Sequence, residues 1–222
     1  MENQKDMENC LEKASEEGSV EEKGSRSEAK KEILSWVKVM LIAFLVAFIV
    51  SHFIIINARI PSVSMENTIK VGDKVIGNRL AYKFSNPEKG EIVLFVSPEN
   101  AGQHAGQIFI KRLIGEPGDV IYIEHNVLYI NGEAQTEDYV DSWKGNDFKM
   151  IYNPELNKMQ LYDDISQLNL DDYKIPKDRY FVMGDNRDGS GDSRAWGTVE
   201  RSAFVAKAMF RWWPLNKIST LK

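Results

Sequence analysis

The segment Asp119–Gly132, DVIYIEHNVLYING, has the pattern of a β-hairpin followed by a second tight turn. Its apolar runs Val120–Glu124 and Val127–Ile130 flank the pair His125-Asn126, and Asn131-Gly132 closes the segment. β-branched and aromatic residues favour strands, whereas Asn and Gly tolerate the positive φ angles that two-residue hairpin turns require. The segment therefore predicts antiparallel β structure at the centre of the chain.

Similar short apolar runs bounded by turn residues continue on both sides of this hairpin. They are Lys74–Gly77, Glu91–Val96, Gln107–Ile114, Arg179–Met183 and Phe204–Trp213. Several short strands separated by turn signals are typical of a mainly β domain. Residues 134–176 are acidic and aromatic without a steady period, and we interpret them as an inserted subdomain or long loops. The region 57–222 is thus predicted to be one mainly β domain with a small insertion.

An apolar run of a different kind precedes the predicted β domain. Val39–Ile56, VMLIAFLVAFIVSHFIII, contains no Asp, Glu, Lys or Arg. As a helix it would span about 27 Å, close to the hydrocarbon thickness of a bilayer. Lys38 and Trp36 at its near edge match a snorkelling cation and an interfacial aromatic residue. We predict a transmembrane helix over residues 33–56, because a buried helix that is apolar all round would need a much larger protein to cover it.

The flanks of this segment indicate an uncleaved signal anchor. The polar region before it is long, and no small-x-small cleavage site follows it, because Ile56 lies two positions before Ala58. Only Arg59 follows the span closely, and cations concentrate on the cytoplasmic side of membrane spans. We therefore expect residues 1–32 to be cytoplasmic and residues 57–222 to be extracytoplasmic. The cations nearest the apolar run on its other side are Arg26, Lys30, Lys31 and Lys38.

Composition narrows the function classes further. Residues 1–32 are rich in Glu, Lys and Ser, and we predict a disordered tail because they cannot bury enough apolar surface, a weak amphipathic helix being the alternative. The net charge of -5 over 222 residues argues against a nucleic-acid-binding surface. The single Cys10 excludes an intramolecular disulfide, and no Cys/His spacing indicates a zinc site, so we expect no cofactor.

Three short polar segments carry the candidate chemistry. They are Ser62-Val63-Ser64-Met65, Lys111–Asp119 (KRLIGEPGD) and Gly184–Arg194 (GDNRDGSGDSR). A serine hydroxyl becomes a good nucleophile when a neighbouring base removes its proton, and lysine can be that base when burial keeps it neutral. The third segment holds two arginines among three carboxylates, which predicts ion pairing within the segment and not a cation site. Three scattered histidines do not form a nucleophile–base pattern.

The three segments resemble the boxes of the bacterial type I signal peptidases, which are membrane-anchored serine proteases. PSVSM is similar to the nucleophile box of this family, KRLIGEPGD to its lysine box and GDNRDGSGDSR to its late box, so the resemblance covers roughly residues 36–213. Asn67 departs from the pattern, since the family more often has proline there, and this bears on the shape of a subsite. The single anchor and the short 134–176 segment are similar to enzymes of Gram-positive bacteria.

The resemblance implies a Ser-Lys dyad, with Ser64 as nucleophile and Lys111 as general base. It also implies that the enzyme cleaves N-terminal signal peptides of preproteins after small residues of the Ala-x-Ala type, in a groove flanked by residues 58–64 and 108–111. The implied partners are signal peptides and the lipid bilayer, with no nucleic acid, and no oligomeric state is indicated. The implied supporting residues are Ser62, with the Ser64 N–H, for the oxyanion hole, Ser190 for orienting the Lys111 amine, and Asp192 with Arg194 for holding the loop.

The position of Ser64 agrees with this function on physical grounds. It lies eight residues beyond Ile56, so an extended link would reach at most about 26 Å from the end of the predicted span. Signal peptides present their cleavage site just after an apolar segment. A serine at this place in the chain would meet such bonds.

Three alternatives remain at this point. A peptidase specialised for pilins or other surface proteins would share every motif. A non-catalytic anchored β-domain would have no reason to keep Ser62, Ser64, Lys111 and Ser190 together. The self-cleaving repressors use a related Ser-Lys fold, but they carry a DNA-binding helical domain where this chain has an apolar span.

Overall fold

The computed structural model describes residues 31–140, 143–144 and 148–221, which form two compact units divided between Ser51 and His52. Helix α1, Lys31–Ile54, supplies the described part of the first unit and ends in a π-helical turn at Val50–Ile54. It is long and apolar enough to cross a membrane, and its large apolar side chains are exposed. Residues 1–30, nearly all of the predicted tail, lie outside the described residues.

The end of the apolar run differs from the prediction. The predicted span closes at Ile56, but Ile55 and Ile56 belong to strand β1 (Ile55–Arg59), where they pair with Asn78 and Gly77. β-branched apolar residues suit a strand as well as a helix, so hydrophobicity alone could not separate the two elements. The predicted boundary therefore falls two residues inside the β domain.

The second unit consists mainly of two antiparallel sheets in the described part of the chain. The first sheet has the strand order β1-β2-β12-β3-β4-β10-β11, with β13 paired to β12, and the second has the order β7-β6-β5-β8-β9. Two short helices, α2 (Ala81–Phe84) and α3 (Ser193–Trp196), connect strands. The remaining strands are β2 (Lys74–Asn78), β3 (Ile92–Val96), β4 (Ile108–Gly115), β5 (Ile121–Glu124), β6 (Val127–Ile130), β7 (Glu133–Ala134), β8 (Met150–Asn153), β9 (Lys158–Leu161), β10 (Arg179–Met183), β11 (Val199–Glu200), β12 (Phe204–Trp213) and β13 (Ser219–Thr220).

The central hairpin and the mainly β fold are confirmed. β5 and β6 pair from Ile121↔Ile130 to Glu124↔Val127. His125 and Asn126 have φ angles of 49° and 63°, which place both turn residues in the left-handed region expected of a type I′ hairpin. The hairpin is therefore closed at the predicted residues.

The segment 134–176 is more ordered than a set of long loops. It contributes the hairpin β8–β9, which extends the second sheet because Ile151 pairs with Tyr122 of β5. Asn157 at the hairpin tip accepts hydrogen bonds from the backbone N–H and the hydroxyl of Thr198, at 2.9 and 2.8 Å. The segment is therefore integrated into the domain through its second sheet.

Strands β3 and β4 are buried on both faces. Ile92 and Leu94 of β3 pack into one core cluster with Ile110, whereas Val93 and Phe95 pack into another. β4 is buried from Ile110 to its end. Any charged side chain in this part of β4 must therefore be stabilised by partners or become neutral.

Candidate active site

The predicted nucleophile lies in a tight turn just after β1. Ser64 is buried in the 3-10 turn Val63–Met65. Ser62 occupies the N-cap position in an extended conformation. Serine at this position commonly caps the turn with its side chain, but the Ser62 hydroxyl makes no such hydrogen bond. Instead the Ser62 Oγ lies 3.3 Å from the Ser64 Oγ. The two hydroxyls that the sequence singled out are therefore side by side.

The loop that follows β10 holds this turn in place. The Asn186 backbone N–H donates to the Ser64 carbonyl oxygen, and its side-chain amide donates to the Val63 carbonyl oxygen, both at 3.1 Å. The Asn67 amide donates in the opposite direction, to the Asp185 carbonyl oxygen, also at 3.1 Å. The backbone that carries Ser64 is thus fixed by the loop 184–194.

Lys111 lies on β4 with only 4% of its surface exposed. In the described part of the chain its amine forms no ion pair or hydrogen bond, and it lies 5.8 Å from the centroid of the Phe109 ring. Burial lowers the pKa of Lys111 from 10.5 to about 8, Asp192 opposes this change and Arg194 adds to it. A useful fraction of the lysine is therefore neutral near pH 8 and can accept a proton.

The next residue on β4 has the opposite environment. Arg112 is also buried, but it donates to both carboxylate oxygens of Asp185, at 2.9 and 2.8 Å, and to the Gly90 carbonyl oxygen at 2.8 Å. The Thr68 hydroxyl also donates to the Asp185 carboxylate. This paired cluster ties β4, the loop 184–194 and the nucleophile turn together.

Gly184 brings Ser190 next to the nucleophile turn. A Cβ atom at position 184 would collide with the Ser190 side chain and with the Ser64 carbonyl oxygen. The Ser190 Oγ is buried and has no hydrogen-bond partner among the described residues. The Ser190 hydroxyl nevertheless helps to lower the pKa of the Asp192 carboxyl, so it lies close to that group. The predicted hydrogen bond from Ser190 to the Lys111 amine stays a prediction.

Asp192 and Arg194 form the ion pair that the loop sequence predicted. Arg194 donates to the two oxygens of Asp192 at 2.8 and 2.9 Å, and the Gly184 N–H donates to one of them at 3.0 Å. Although burial opposes it, these contacts hold the pKa of Asp192 below its usual range. A charged Asp192 therefore binds both Gly184 and Arg194, the first and last residues of the loop that carries Ser190.

The other charges of the loop pair with residues outside it, contrary to the expectation of ion pairing within the loop. Asp185 pairs with Arg112, as described above. Arg187 is buried and donates to the Glu137 carboxylate, with one contact of 2.7 Å, while the Trp143 ring lies 5.2 Å from its guanidinium carbon. The segment 134–176 thus contributes directly to the support of the loop, a role that sequence patterns did not reveal.

Ser64 and Lys111 line the same groove, which has a volume of about 450 Å³. β10 pairs with β4 only from Arg112 onward, so Ile108–Lys111 pairs with β3 on one side and leaves its other edge open among the described strands. β1, which leads into the nucleophile turn, is the edge strand of its sheet. The groove is lined by Ala58, Arg59, Ile60, Pro61, Ser62, Ser64, Leu94, Ala101, His104, Gln107, Ile108, Phe109, Ile110, Lys111, Gly189, Gly191 and Trp196.

Comparisons with known proteins agree on one family. The family model described as "Signal peptidase, peptidase S26" matches residues 33–213. Signal peptidase IB of Staphylococcus aureus (strain COL) is 36% identical over 188 residues, which cover 85% of this chain and 93% of that protein. A protein of Synechocystis described as probable signal peptidase I-2 is 32% identical over 83% of this chain and 75% of its own length.

A solved structure is also similar to this chain. The crystal structure of a signal peptidase I from Enterococcus faecalis V583 aligns with 55% of this chain and 97% of that chain, at 31% identity and a TM-score of 0.40. The family match extends over nearly all of the described residues and includes the nucleophile turn, β4 and the loop 184–194. The chain therefore belongs to the signal peptidase family, peptidase S26, and is a serine endopeptidase of the signal peptidase I class.

Proposed function

We propose that this chain is a membrane-anchored signal peptidase that works through a Ser64–Lys111 dyad and cleaves preproteins after small residues. One observation carries the proposal. Lys111 is buried beside the groove that contains Ser64, without an ion pair among the described residues, and its pKa is lowered to about 8. A lysine with a purely structural role would gain by pairing with a carboxylate, as Arg112 does.

The reaction then follows the general course of acyl transfer. The neutral Lys111 amine accepts the proton of the Ser64 hydroxyl while the Ser64 Oγ attacks the scissile carbonyl carbon. The resulting ammonium group donates a proton to the departing amine, which leaves an acyl-enzyme on Ser64. Lys111 next removes a proton from the water that attacks the acyl carbon, and it returns this proton to the Ser64 Oγ as the acyl bond breaks and the signal peptide is released. The unpaired Ser190 hydroxyl is available to accept a hydrogen bond from the ammonium form.

Ser62 and the Ser64 N–H supply the proposed oxyanion hole. The Ser62 Oγ lies 3.3 Å from the nucleophile and is not used as a helix cap, so it can turn toward a developing negative charge. Removing one oxyanion donor commonly lowers kcat by about 100- to 1000-fold. We therefore expect Ser62→Ala to be impaired but measurably active, in contrast to changes at Ser64 and Lys111.

The substrate is proposed to bind as an extended strand in the groove. The open edge of Ile108–Lys111 and the edge strand β1 offer backbone groups to a peptide whatever its sequence. Because alternate side chains of such a peptide point to the same face, the first and third residues before the scissile bond would meet the groove floor. That floor is apolar, with Ala58, Ile60 and Ile110, and suits short side chains.

Helix α1 is proposed as the membrane anchor. Its apolar side chains are exposed along its length, and such a surface is stable in lipid. The excess of Lys and Arg before the span favours a cytoplasmic N-terminus and a β domain outside the membrane. External protease added to intact cells should therefore digest an epitope fused after Lys222 and spare one fused before Met1.

The direct test is cleavage of several preproteins by the detergent-solubilised full chain. Wild type should release mature proteins that begin after a small residue, as determined by N-terminal sequencing. Ser64→Ala and Lys111→Ala should be inactive, while the control Lys207→Ala, which alters a half-exposed lysine paired with Glu91, should retain activity. Full cleavage by Lys111→Ala would exclude the dyad, and intact preproteins with wild type would favour a non-catalytic domain. Cleavage confined to pilins or other surface proteins would identify a specialised peptidase.

A further inference from the structure

Two contacts connect the segment after β7 to the arginines behind the active site. The Glu137 carboxylate accepts a hydrogen bond from the Arg187 guanidinium at 2.7 Å and one from the Tyr139 hydroxyl at 2.7 Å. The Tyr139 ring in turn lies 3.9 Å from the guanidinium carbon of Arg112. Glu137 and Tyr139 therefore contact, as one unit, an arginine of the loop 184–194 and an arginine of β4.

Both arginines are close in sequence to the proposed catalytic groups. Arg112 follows Lys111 on β4, and Arg187 lies three residues before Ser190. Arg187 is buried, and its Nε also donates to the Gly184 carbonyl oxygen at 3.2 Å, at the point where the loop passes between Ser190 and the nucleophile turn. A shift of Arg187 would therefore move the loop that fixes Ser64.

The charges make this connection specific. The Arg187 side chain has 0% exposure and that of Glu137 has 10%, so the pair is shielded from water on both sides. A buried cation that loses its partner cannot be solvated in place, so it either moves or draws in water. Asp138, between Glu137 and Tyr139, is exposed and forms no ion pair among the described residues.

We propose that Glu137, supported by Tyr139, is a positioning residue for signal peptide cleavage. It neutralises Arg187 and thereby keeps the loop 184–194 in the arrangement that aligns Ser64, Ser190 and Lys111. Glu137 does not touch the substrate in this account, and it acts through Arg187 and the hydrogen bonds of Asn186. The inference rests on the proposed function, because it requires that Ser64 and Lys111 perform the reaction.

The test compares Glu137→Gln with Asp138→Asn, which removes one negative charge at the adjacent exposed position. With a preprotein as substrate, Glu137→Gln should lower kcat by about 10- to 100-fold, the loss expected when reacting groups are displaced by up to about 1 Å. KM should stay within about twofold, because the groove residues are unchanged, and the midpoint of the pH profile should not move. Asp138→Asn should behave as wild type, and Glu137→Asp should recover part of the lost kcat.

Folding is checked on the same samples. A purely structural role predicts a lower unfolding temperature with unchanged kcat for the folded enzyme, and that result for Glu137→Gln would overturn the inference. Equal kcat values for Glu137→Gln and Asp138→Asn would also overturn it. If Glu137→Gln does not fold, Tyr139→Phe keeps the ring and removes the hydroxyl donor to Glu137, and it should still lower kcat several-fold with KM unchanged. An unaltered kcat for Tyr139→Phe in that case would contradict the inference.

The failure of this inference can be told apart from the failure of the proposed function. If Lys111→Ala is inactive and Glu137→Gln is fully active, only the role of Glu137 is wrong. If Lys111→Ala cleaves preproteins as wild type does, the dyad itself is wrong.

Discussion

Lys111 and Arg112 are neighbouring buried cations on β4, and they are stabilised in opposite ways. Arg112 has a bidentate pair with Asp185, a backbone carbonyl acceptor and an aromatic ring over its guanidinium. Lys111 has an aromatic ring at 5.8 Å and no hydrogen bond or ion pair among the described residues. Because alternate residues of a strand point to opposite faces, the two cations belong to different sides of β4.

The difference between the two sides follows from the chemistry each residue can perform. A guanidinium stays charged at any physiological pH, so its burial requires full pairing. An ammonium group can lose its proton when it is desolvated, and in doing so it becomes a base. On one side of β4, the paired charges of Arg112 and Asp185 fix the geometry. On the other side Lys111 has no charged partner among the described residues, so its amine can lose its proton. Stability resides in the first side and reactivity in the second.

We expect the largest change in the free energy of unfolding when a charge is removed from the paired side of β4. Arg112→Met leaves the Asp185 carboxylate buried with its main counter-charge removed, and breaking such a pair costs about 3–5 kcal/mol. Urea unfolding should show this loss. Arg179→Met is the control, because it removes an exposed pair with Glu200 that should contribute at most about 1 kcal/mol.

The double variant Arg112→Met/Asp185→Leu sharpens this test. With both charges absent, much of the lost stability should return, because the cost arises from the unpaired carboxylate. A single variant as stable as Arg179→Met would show that the Arg112 cluster does not hold the site.

Removing Lys111 should change the free energy of unfolding by less, and in the opposite direction. Lys111→Met should abolish cleavage but raise the free energy of unfolding at pH 7 by up to about 3 kcal/mol, the value of a pKa lowered from 10.5 to about 8. The charged form is disfavoured in the folded state, so this destabilisation of wild type is complete below pH 8 and disappears as the pH rises through 10.5.

Unfolding measured at several pH values checks the sign. The gain for Lys111→Met should be full at pH 7 and should vanish at about pH 11. A variant that is less stable than wild type at pH 7 would mean that burial does not lower the pKa of Lys111.

The smallest effect concerns the charges nearest the lysine. Arg194 lowers the pKa of Lys111 and Asp192 raises it, so Arg194→Gln should raise this pKa. Since the neutral lysine is the active form, the rise of kcat/KM with pH should move to higher pH in Arg194→Gln. Arg179→Gln, far from this pair in the described structure, should leave the midpoint in place. A midpoint that moves to lower pH in Arg194→Gln would contradict this electrostatic assignment.

The sequence contained most of the information on the first sheet and on the nucleophile turn. The predicted strands Arg179–Met183 and Phe204–Trp213 agree with β10 and β12 residue for residue, because long apolar runs bounded by turn residues are strong local signals. Of the predicted groove flanks at 58–64 and 108–111, every residue except Val63 lines the groove. The hairpin β8–β9 was not predicted, because β9 has only four residues and is mostly exposed, so its alternation of polar and apolar residues is too short to be a strong signal.

The ion pairs that hold the site together could not be predicted from the sequence, for a different reason. The pairs Arg112–Asp185 and Arg187–Glu137 join residues separated by 73 and 50 positions, and no local pattern specifies such partners. The motif after β10 suggested ion pairing, but it did not indicate which charges would pair outside the loop. Glu137 in particular lies in a stretch without period or motif. Its role depends on the burial of Arg187, which becomes visible once the chain is folded.

The proposed dyad requires that the pKa of Lys111 lies well below the ordinary value for lysine, and a titration of its amine tests this most directly. The full chain, labelled with ¹³C at the lysine ε carbons, would be followed by NMR from pH 6 to 11, with the Lys111 signal identified by its absence in Lys111→Met. The account predicts a titration midpoint near pH 8 for this one lysine. A midpoint near 10.5, the ordinary value for lysine, would contradict it.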